Sequence, residues 1–284
     1  MIEALKISEV ISHVDLAKAR GEKVGFIPTM GALHSGHISL VNKALTECDW
    51  VVSSIFVNPT QFNDPKDLLH YPRTPENDCI LLEQAGCHLL FNPSVSEIYP
   101  EGLVSPDFEF GNLEKVMEGA HRPGHFKGVA TVVFRLFDIV KPDVAYFGEK
   151  DFQQLAIIRS MVRQASLPIR IIGCETIREP DGLAMSSRNV RLSVDERNAA
   201  PIIFQNLSKA KELIEAKGME GAKTEMIKTI EASGLFRVEY LEFADANSLQ
   251  PVASISEENR PRVFIAVKAS TTTSPTLRPK TADI

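Results

Sequence analysis

Lys23-Val24-Gly25-Phe26-Ile27-Pro28-Thr29-Met30-Gly31-Ala32-Leu33-His34-Ser35-Gly36-His37 is the stretch that decides the fold. Residues 23–28 form a short apolar run suited to a buried strand, and Met30-Gly31-Ala32-Leu33 is a glycine-bearing turn. Leu40, Val41 and Ala44 then recur at helical spacing, and Trp50-Val51-Val52-Ser53-Ser54-Ile55-Phe56-Val57 reads as a second strand. Together they make a βαβ unit whose helix begins at a turn, where its first N–H groups face outward to an anion.

The same alternation runs on downstream. Thr74 and Pro75 open a helix that Gly86 stops, and His88-Leu89-Leu90-Phe91 is the next strand. A helix over 129–140, the strand Val144-Ala145-Tyr146-Phe147, a helix over 152–164 and the strand Ile169-Arg170-Ile171-Ile172 follow. The pattern predicts an α/β fold, a Rossmann-like doubly wound parallel sheet, over residues 1–175. Beyond it Ser193-Val194-Asp195-Glu196 is a capping box opening a long helical stretch. A second helix ends near Gly234, and strands follow over 236–243 and 262–268. Residues 176–284 are therefore expected to form a smaller α+β C-terminal domain. Its end, from Ser270-Thr271-Thr272-Thr273-Ser274-Pro275 onward, reads as a flexible polar tail.

Composition narrows the function classes. The 284 residues are 44% hydrophobic and 24% charged, which is globular rather than disordered. A net charge of −6 supplies no basic field for a nucleic-acid backbone. The N-terminus lacks an export pattern and no apolar run approaches the ~20 residues that span a bilayer, so a cytoplasmic protein without a membrane partner is expected. Cys48, Cys79, Cys87 and Cys174 contain no Cys-x-x-Cys pair and read as reduced, inert thiols.

Three clusters carry chemistry, each at a turn after a strand or between the two domains. His34-Ser35-Gly36-His37 follows the first strand; its glycines admit phosphate close to the backbone, and its imidazoles can donate hydrogen bonds to phosphate oxygens, which suits ATP. The alternative is a pair of histidines that merely cap the helix. A zinc pair is disfavoured because no third ligand stands at zinc-like spacing. Gly148-Glu149-Lys150-Asp151-Phe152-Gln153-Gln154 lies at another strand end, the edge where open α/β sheets place ligands. There Lys150 is a point charge for phosphate, Asp151 a ribose or backbone anchor, and Gln154 a substrate reader; the alternative is that Glu-Lys-Asp is simply a solvated loop. Met185-Ser186-Ser187-Arg188 combines two hydroxyls with a guanidinium, a phosphate clamp if it is not an ordinary serine-rich linker. A nicotinamide dehydrogenase is excluded by the missing Gly-x-Gly-x-x-Gly turn after the first strand.

These segments, with Phe56-Val57-Asn58-Pro59-Thr60-Gln61-Phe62, Tyr71-Pro72-Arg73-Thr74 and Arg122-Pro123-Gly124-His125-Phe126, resemble the pantothenate synthetases over nearly all of the first domain. Those enzymes belong to the His-x-Gly-His nucleotidyltransferases; an adenylyltransferase or a tRNA synthetase fragment is the nearest rival reading. The resemblance implies an ATP-dependent ligase that joins pantoate to β-alanine through a pantoyl-adenylate, acting as a homodimer with Mg²⁺. It implies that Met30, Gly31, Ala32, Leu33, His34, Ser35, Gly36 and His37 line the ATP site, with His37, His34, Lys150 and Arg188 catalytic. Gly148, Glu149, Lys150, Asp151, Ile177, Met185, Ser186, Ser187 and Arg188 would also contact the nucleotide, and Gln61 and Gln154 would hold pantoate. Where relatives often carry adjacent acids, this chain has Asn77-Asp78, leaving Asp78 as the single candidate near Mg²⁺. The usual terminal Arg-Leu-Ile-Asp-Asn is replaced by the run from Ser270.

Overall fold

A computed structural model describes residues 1–100, 107–254 and 261–270 in full, and 276–283 by their backbone. The chain divides into two compact units. One comprises Met1–Phe110, Pro123–Gly148 and Ile157–Glu175, the other Gly111–Arg122, Glu149–Ala156 and Thr176–Ile284.

The first unit holds β1 (Ile2–Ala4), α1 (Ile7–Ala19), β2 (Val24–Thr29), α2 (Ser35–Leu45), β3 (Trp50–Ile55), α3 (Pro75–Gln84), β4 (Leu89–Phe91), α4 (His125–Val140), β5 (Val144–Gly148) and β6 (Arg170–Cys174). The last helix before β6, α5 (Phe152–Gln164), begins among residues of the second unit. The six strands form one sheet in the order β1-β4-β3-β2-β5-β6, all neighbours parallel. The expected Rossmann-like α/β fold is present. Strands buried on both faces need continuous apolar runs rather than alternation, and β2 is buried through Ile27. Leu40, Val41 and Ala44 form the buried stripe of α2, packed in one core with Ile27, Val51, Leu82 and Leu90.

The topology positions the site. From β2 the chain winds outward through β3 and β4, then returns to β5 on the opposite side of β2. β2 pairs with β3 along its whole length, from Val24↔Trp50 to Thr29↔Ile55, but with β5 only at Gly25↔Val144 and Phe26↔Ala145. The two central strands thus part before their carboxyl ends, at the switch point where open α/β sheets bind ligands.

In the second unit Ser193 Oγ accepts from Glu196 N at 3.3 Å and Glu196 Oε2 accepts from Ser193 N at 2.9 Å, the capping box read from the sequence, at the start of α6 (Val194–Ala199). α7 (Ile202–Ser208) and α8 (Ala210–Glu231) follow, α8 being interrupted at Gly218. β7 (Phe236–Asp245), β8 (Pro261–Ala269) and β9 (Thr276–Asp283) form an antiparallel sheet in that order. Here the sequence reading is corrected. The polar tail expected to be flexible from Ser270 includes a strand, Thr276–Asp283, whose backbone pairs with β8 from Lys268↔Thr276 to Arg262↔Asp283. Residues 271–275 lie outside the described residues. All four cysteines are free thiols, and burial pushes the Cys87 thiol up to about 11. Among the described residues no helix is long and apolar enough to cross a membrane.

Candidate active site

The turn between β2 and α2 is built by its own side chains and by one carboxylate from α3. Gly31 sits at φ +77° and Ala32 at φ +49°, so two successive residues adopt the left-handed region, which Ala tolerates poorly. Asp78, 1% exposed, accepts from Ala32 N at 2.8 Å through Oδ2 and from Leu33 N at 2.7 Å through Oδ1. Thr74 Oγ1 donates to the same Oδ1 at 3.0 Å. Both carboxylate oxygens of Asp78 are thereby engaged, and among the described residues no three His, Cys, Asp or Glu side chains converge as a metal site. With both of its oxygens spent on the turn, the Asp78 side chain is a poor fit for a Mg²⁺ ligand.

His34 is the N-cap of α2. Its Nδ1 accepts from Gly36 N at 3.1 Å, while its own backbone N–H donates to His37 Nδ1 at 3.3 Å, a capping box made of two imidazoles. The rings lie 4.1 Å apart between centroids. An imidazole that accepts at Nδ1 carries its proton on Nε2, so the heavy-atom geometry assigns both rings the Nε2–H form. The capping role and the donor role are therefore compatible: each ring caps with one nitrogen and keeps a donor on the other. The backbone contributes less than the sequence suggested. The N–H groups of Ala32, Leu33 and Gly36 are bound to side chains, which takes them out of the set open to a phosphate.

Gln61 closes the short 3₁₀ turn Pro59–Gln61, capped by Asn58 with proline in the first helical position. It is 8% exposed, and its Nε2 donates to Met30 Sδ at 2.6 Å, which sets it against the β2–α2 turn. Asn58 holds this turn to α4: its Nδ2 donates to Gly128 O at 3.1 Å, and its Oδ1 accepts from Thr60 Oγ1 and Tyr99 OH, each at 3.1 Å. His125 Nδ1 lies 2.7 Å from Gln61 O, where it donates to that carbonyl. Gly128 permits the approach, since a Cβ there would stand 2.5 Å from Thr60 O.

In the second unit, Glu149–Asp151 form a 3₁₀ turn directly after β5. Lys150 Nζ is 3.3 Å from Asp151 Oδ2, and Glu149 Oε2 pairs at 3.1 Å with Arg262 from β8. The Arg262 guanidinium also lies over the Phe152 ring at 4.1 Å, so the turn is gripped from both sides of Lys150. Gln153, 3% exposed, accepts from Glu118 N and donates to the carbonyls of Leu113 and Val116. Gln154, partly exposed, has no hydrogen-bond partner among the described residues. Of these adjacent amides the first is structural, and the second remains open to a ligand.

Ile177 and Met185 flank a hairpin-like loop: Met185 N donates to Ile177 O at 3.0 Å, and Glu179 N to Leu183 O at 2.8 Å. Ser186 caps the 3₁₀ turn Ser187–Arg191 through Oγ, which accepts from Arg188 N at 3.3 Å. Ser186 thus shapes the loop that carries Ser187 and Arg188.

Missed by the sequence reading were Asp78 as the anchor of the β2–α2 turn, Asn58 and Gly128 beneath Gln61, and Arg262 beside Lys150. The Asn-Pro pair at 58–59 was the one local signal among them.

The pantoate-beta-alanine ligase family model matches residues 4–274. A pantothenate synthetase from Porphyromonas gingivalis is 52% identical over 249 residues, covering 87% of each chain. One from Pseudomonas savastanoi is 48% identical over 263 residues, covering 92% of each. The crystal structure of pantothenate synthetase from Thermus thermophilus superposes with a TM-score of 0.91 at 40% identity, covering 100% of this chain and 99% of that one. The pantoate-beta-alanine ligase from Francisella tularensis, complexed with beta-gamma ATP and beta-alanine, gives 0.83 at 34% identity, covering 100% and 97%. With the family model spanning nearly all of it and about half of the aligned residues identical to such relatives, the chain belongs to the pantoate-beta-alanine ligase family.

Proposed function

We propose that the protein condenses pantoate with β-alanine in two steps driven by ATP. The pantoate carboxylate oxygen attacks the α-phosphorus; a P–O bond forms, the bond to the β-phosphate bridging oxygen breaks, and pyrophosphate leaves. The β-alanine amine then attacks the acyl carbon, loses a proton, and expels AMP as the C–O bond breaks. Adenylation turns a poor leaving group into a good one.

The observation that carries this reading is the pair of imidazoles, His34 and His37, each capping through Nδ1, on a turn whose Met30 is bonded to Gln61. Two fixed imidazole donors suit charge building on phosphate oxygens, and a buried amide held to the same turn through Met30 suits a hydroxylated carboxylate. We assign His37 and His34 as donors to the phosphates, Lys150 and Arg188 as their positive charges, and Gln61 and Gln154 as the pantoate readers. Met30, Gly31, Ala32, Leu33, Ser35, Gly36, Gly148, Glu149, Asp151, Ile177, Met185, Ser186 and Ser187 complete the nucleotide contacts in this assignment. The Francisella relative, whose complex contains an ATP-type nucleotide and beta-alanine, supports the substrate class. Mg²⁺ is assigned to ATP itself, as counter-ion of its phosphates, and no step is routed through a metal held by the chain. A cytoplasmic homodimer completes the proposal, with sedimentation as its check.

The test is labelled pyrophosphate exchange into ATP with Mg²⁺ and pantoate but no β-alanine, which adenylate chemistry requires. ADP as the nucleotide product, or exchange that needs the amine but not pantoate, would end the reading. Gln61→Ala and Gln154→Ala should each weaken pantoate use by ~1–3 kcal/mol, with ATP affinity changed less, because a polar ligand group loses its partner. Loss of ATP affinity with pantoate affinity intact would reverse the pocket assignment.

A further inference from the structure

Asp78 sits beneath the β2–α2 turn with 1% of its surface exposed, and its carboxylate is joined to that turn rather than to a ligand. A buried carboxylate is costly unless each oxygen is bonded. Here Oδ1 accepts from Leu33 N and Thr74 Oγ1, and Oδ2 from Ala32 N. The residues it holds are the ones least able to hold themselves. Ala32 is non-glycine at φ +49°, beside Gly31 at φ +77°, and a Cβ on Gly31 would stand 3.0 Å from Asp78 Oδ2. Leu33 is followed at once by His34, whose N-cap geometry fixes the Nδ1 side of both imidazoles.

We propose that Asp78 is a positioning residue for the adenylation step: through the N–H groups of Ala32 and Leu33 it holds the turn that delivers His34 and His37, and it does not ligate a metal. The inference rests on the adenylation reading above. An amide at this position would fill the same volume but aim N–H against N–H at one of the two backbone contacts. The turn would then relax and the two imidazoles would shift together.

The experiment uses the full chain with Asp78→Asn and follows the half-reactions separately. One is pyrophosphate exchange with ATP, Mg²⁺ and pantoate; the other is AMP release from preformed pantoyl-adenylate by β-alanine. The exchange kcat should fall ~10–100-fold, the cost of misplacing groups by about an ångström. The KM for pantoate, the Mg²⁺ concentration at half-maximal exchange and the second half-reaction should stay near wild type. Unchanged exchange, an equal loss in both half-reactions, or a raised Mg²⁺ requirement would overturn the inference. Thr74→Val, which removes one bond to Oδ1 and keeps the carboxylate, decides the matter if Asp78→Asn does not fold. A smaller loss confined to exchange supports the assignment; no loss, or an equal loss in both steps, overturns it. A wild-type chain that shows no exchange would instead remove the adenylation reading itself.

Discussion

At the scale of single residues, His34 does two jobs with two nitrogens, and substitution can separate them. Asn in its place keeps an acceptor suited to the N-cap but has nothing where Nε2 stood; Ala loses both. His34→Ala should therefore cost ~1 kcal/mol of stability while His34→Asn stays close to wild type. Both should lower pyrophosphate exchange, by up to the ~10²–10³-fold typical of one lost donor to developing charge. Thermal melts read beside exchange assays check this, and Ala retaining full exchange would reduce His34 to a cap. The histidines were legible in the sequence because their spacing and the glycine between them are local. Asp78 was not, because its partners lie 46 and 45 positions away, and an acid in the first turn of a helix reads as a complement to the helix dipole. The sequence reading took Gln154 as the reader; the burial and three contacts that make its neighbour Gln153 structural are tertiary and were not legible there.

Among elements, α4 shows where periodicity stops being informative. Apolar spacing places its start at 129, yet the helix begins at His125, after Gly124 at φ +79°. Its extra turn carries His125, which holds the Gln61 carbonyl, and Gly128, which lets the backbone of Thr60 come close. These contacts are tertiary, so a period-based reading has no access to them. The three-residue edge strand β1 escaped for a simpler reason: three residues cannot display a period. Gly128→Ala tests whether the α4 contact positions Gln61. The added Cβ would stand 2.5 Å from Thr60 O and 2.8 Å from Thr60 C, backbone that cannot step aside as a flexible side chain would. Overpacking of this kind costs ~1–3 kcal/mol, and the displaced turn takes Gln61 with it. The variant should melt lower and show a raised KM for pantoate with the KM for ATP less affected. An unchanged pantoate KM in steady-state kinetics would show that the α4 contact does not position Gln61.

At the scale of the whole molecule, each compact unit is assembled from three chain segments, and the stretch carrying Lys150 groups with the C-terminal residues. Local patterning signals the strands and the capping box, but not which distant segments share a core. The Glu149–Arg262 pair spans 113 positions and ties the Lys150 turn to β8. β8 in turn has β7 on one side and β9 on the other, the latter formed by a run, Thr-Leu-Arg-Pro-Lys-Thr-Ala-Asp, whose polarity conceals it from a hydrophobic pattern. Deleting residues 271–284 would turn β8 into an edge strand with unpaired N–H and C=O groups. Each ladder bond contributes a net ~0.5–1.5 kcal/mol, so losing several should lower the melting midpoint by at least ~5 °C. Because Arg262 stands opposite Asp283 at the end of that ladder, fraying would begin where β8 grips the Lys150 turn. Exchange should therefore fall along with stability, and the truncated protein should aggregate more readily on heating. Calorimetry and pyrophosphate exchange, both run on the truncated chain, measure the two effects side by side. If it melts with the full-length protein and exchanges pyrophosphate at the same rate, β9 contributes nothing to the grip on Lys150, and the flexible-tail reading returns for this end of the chain.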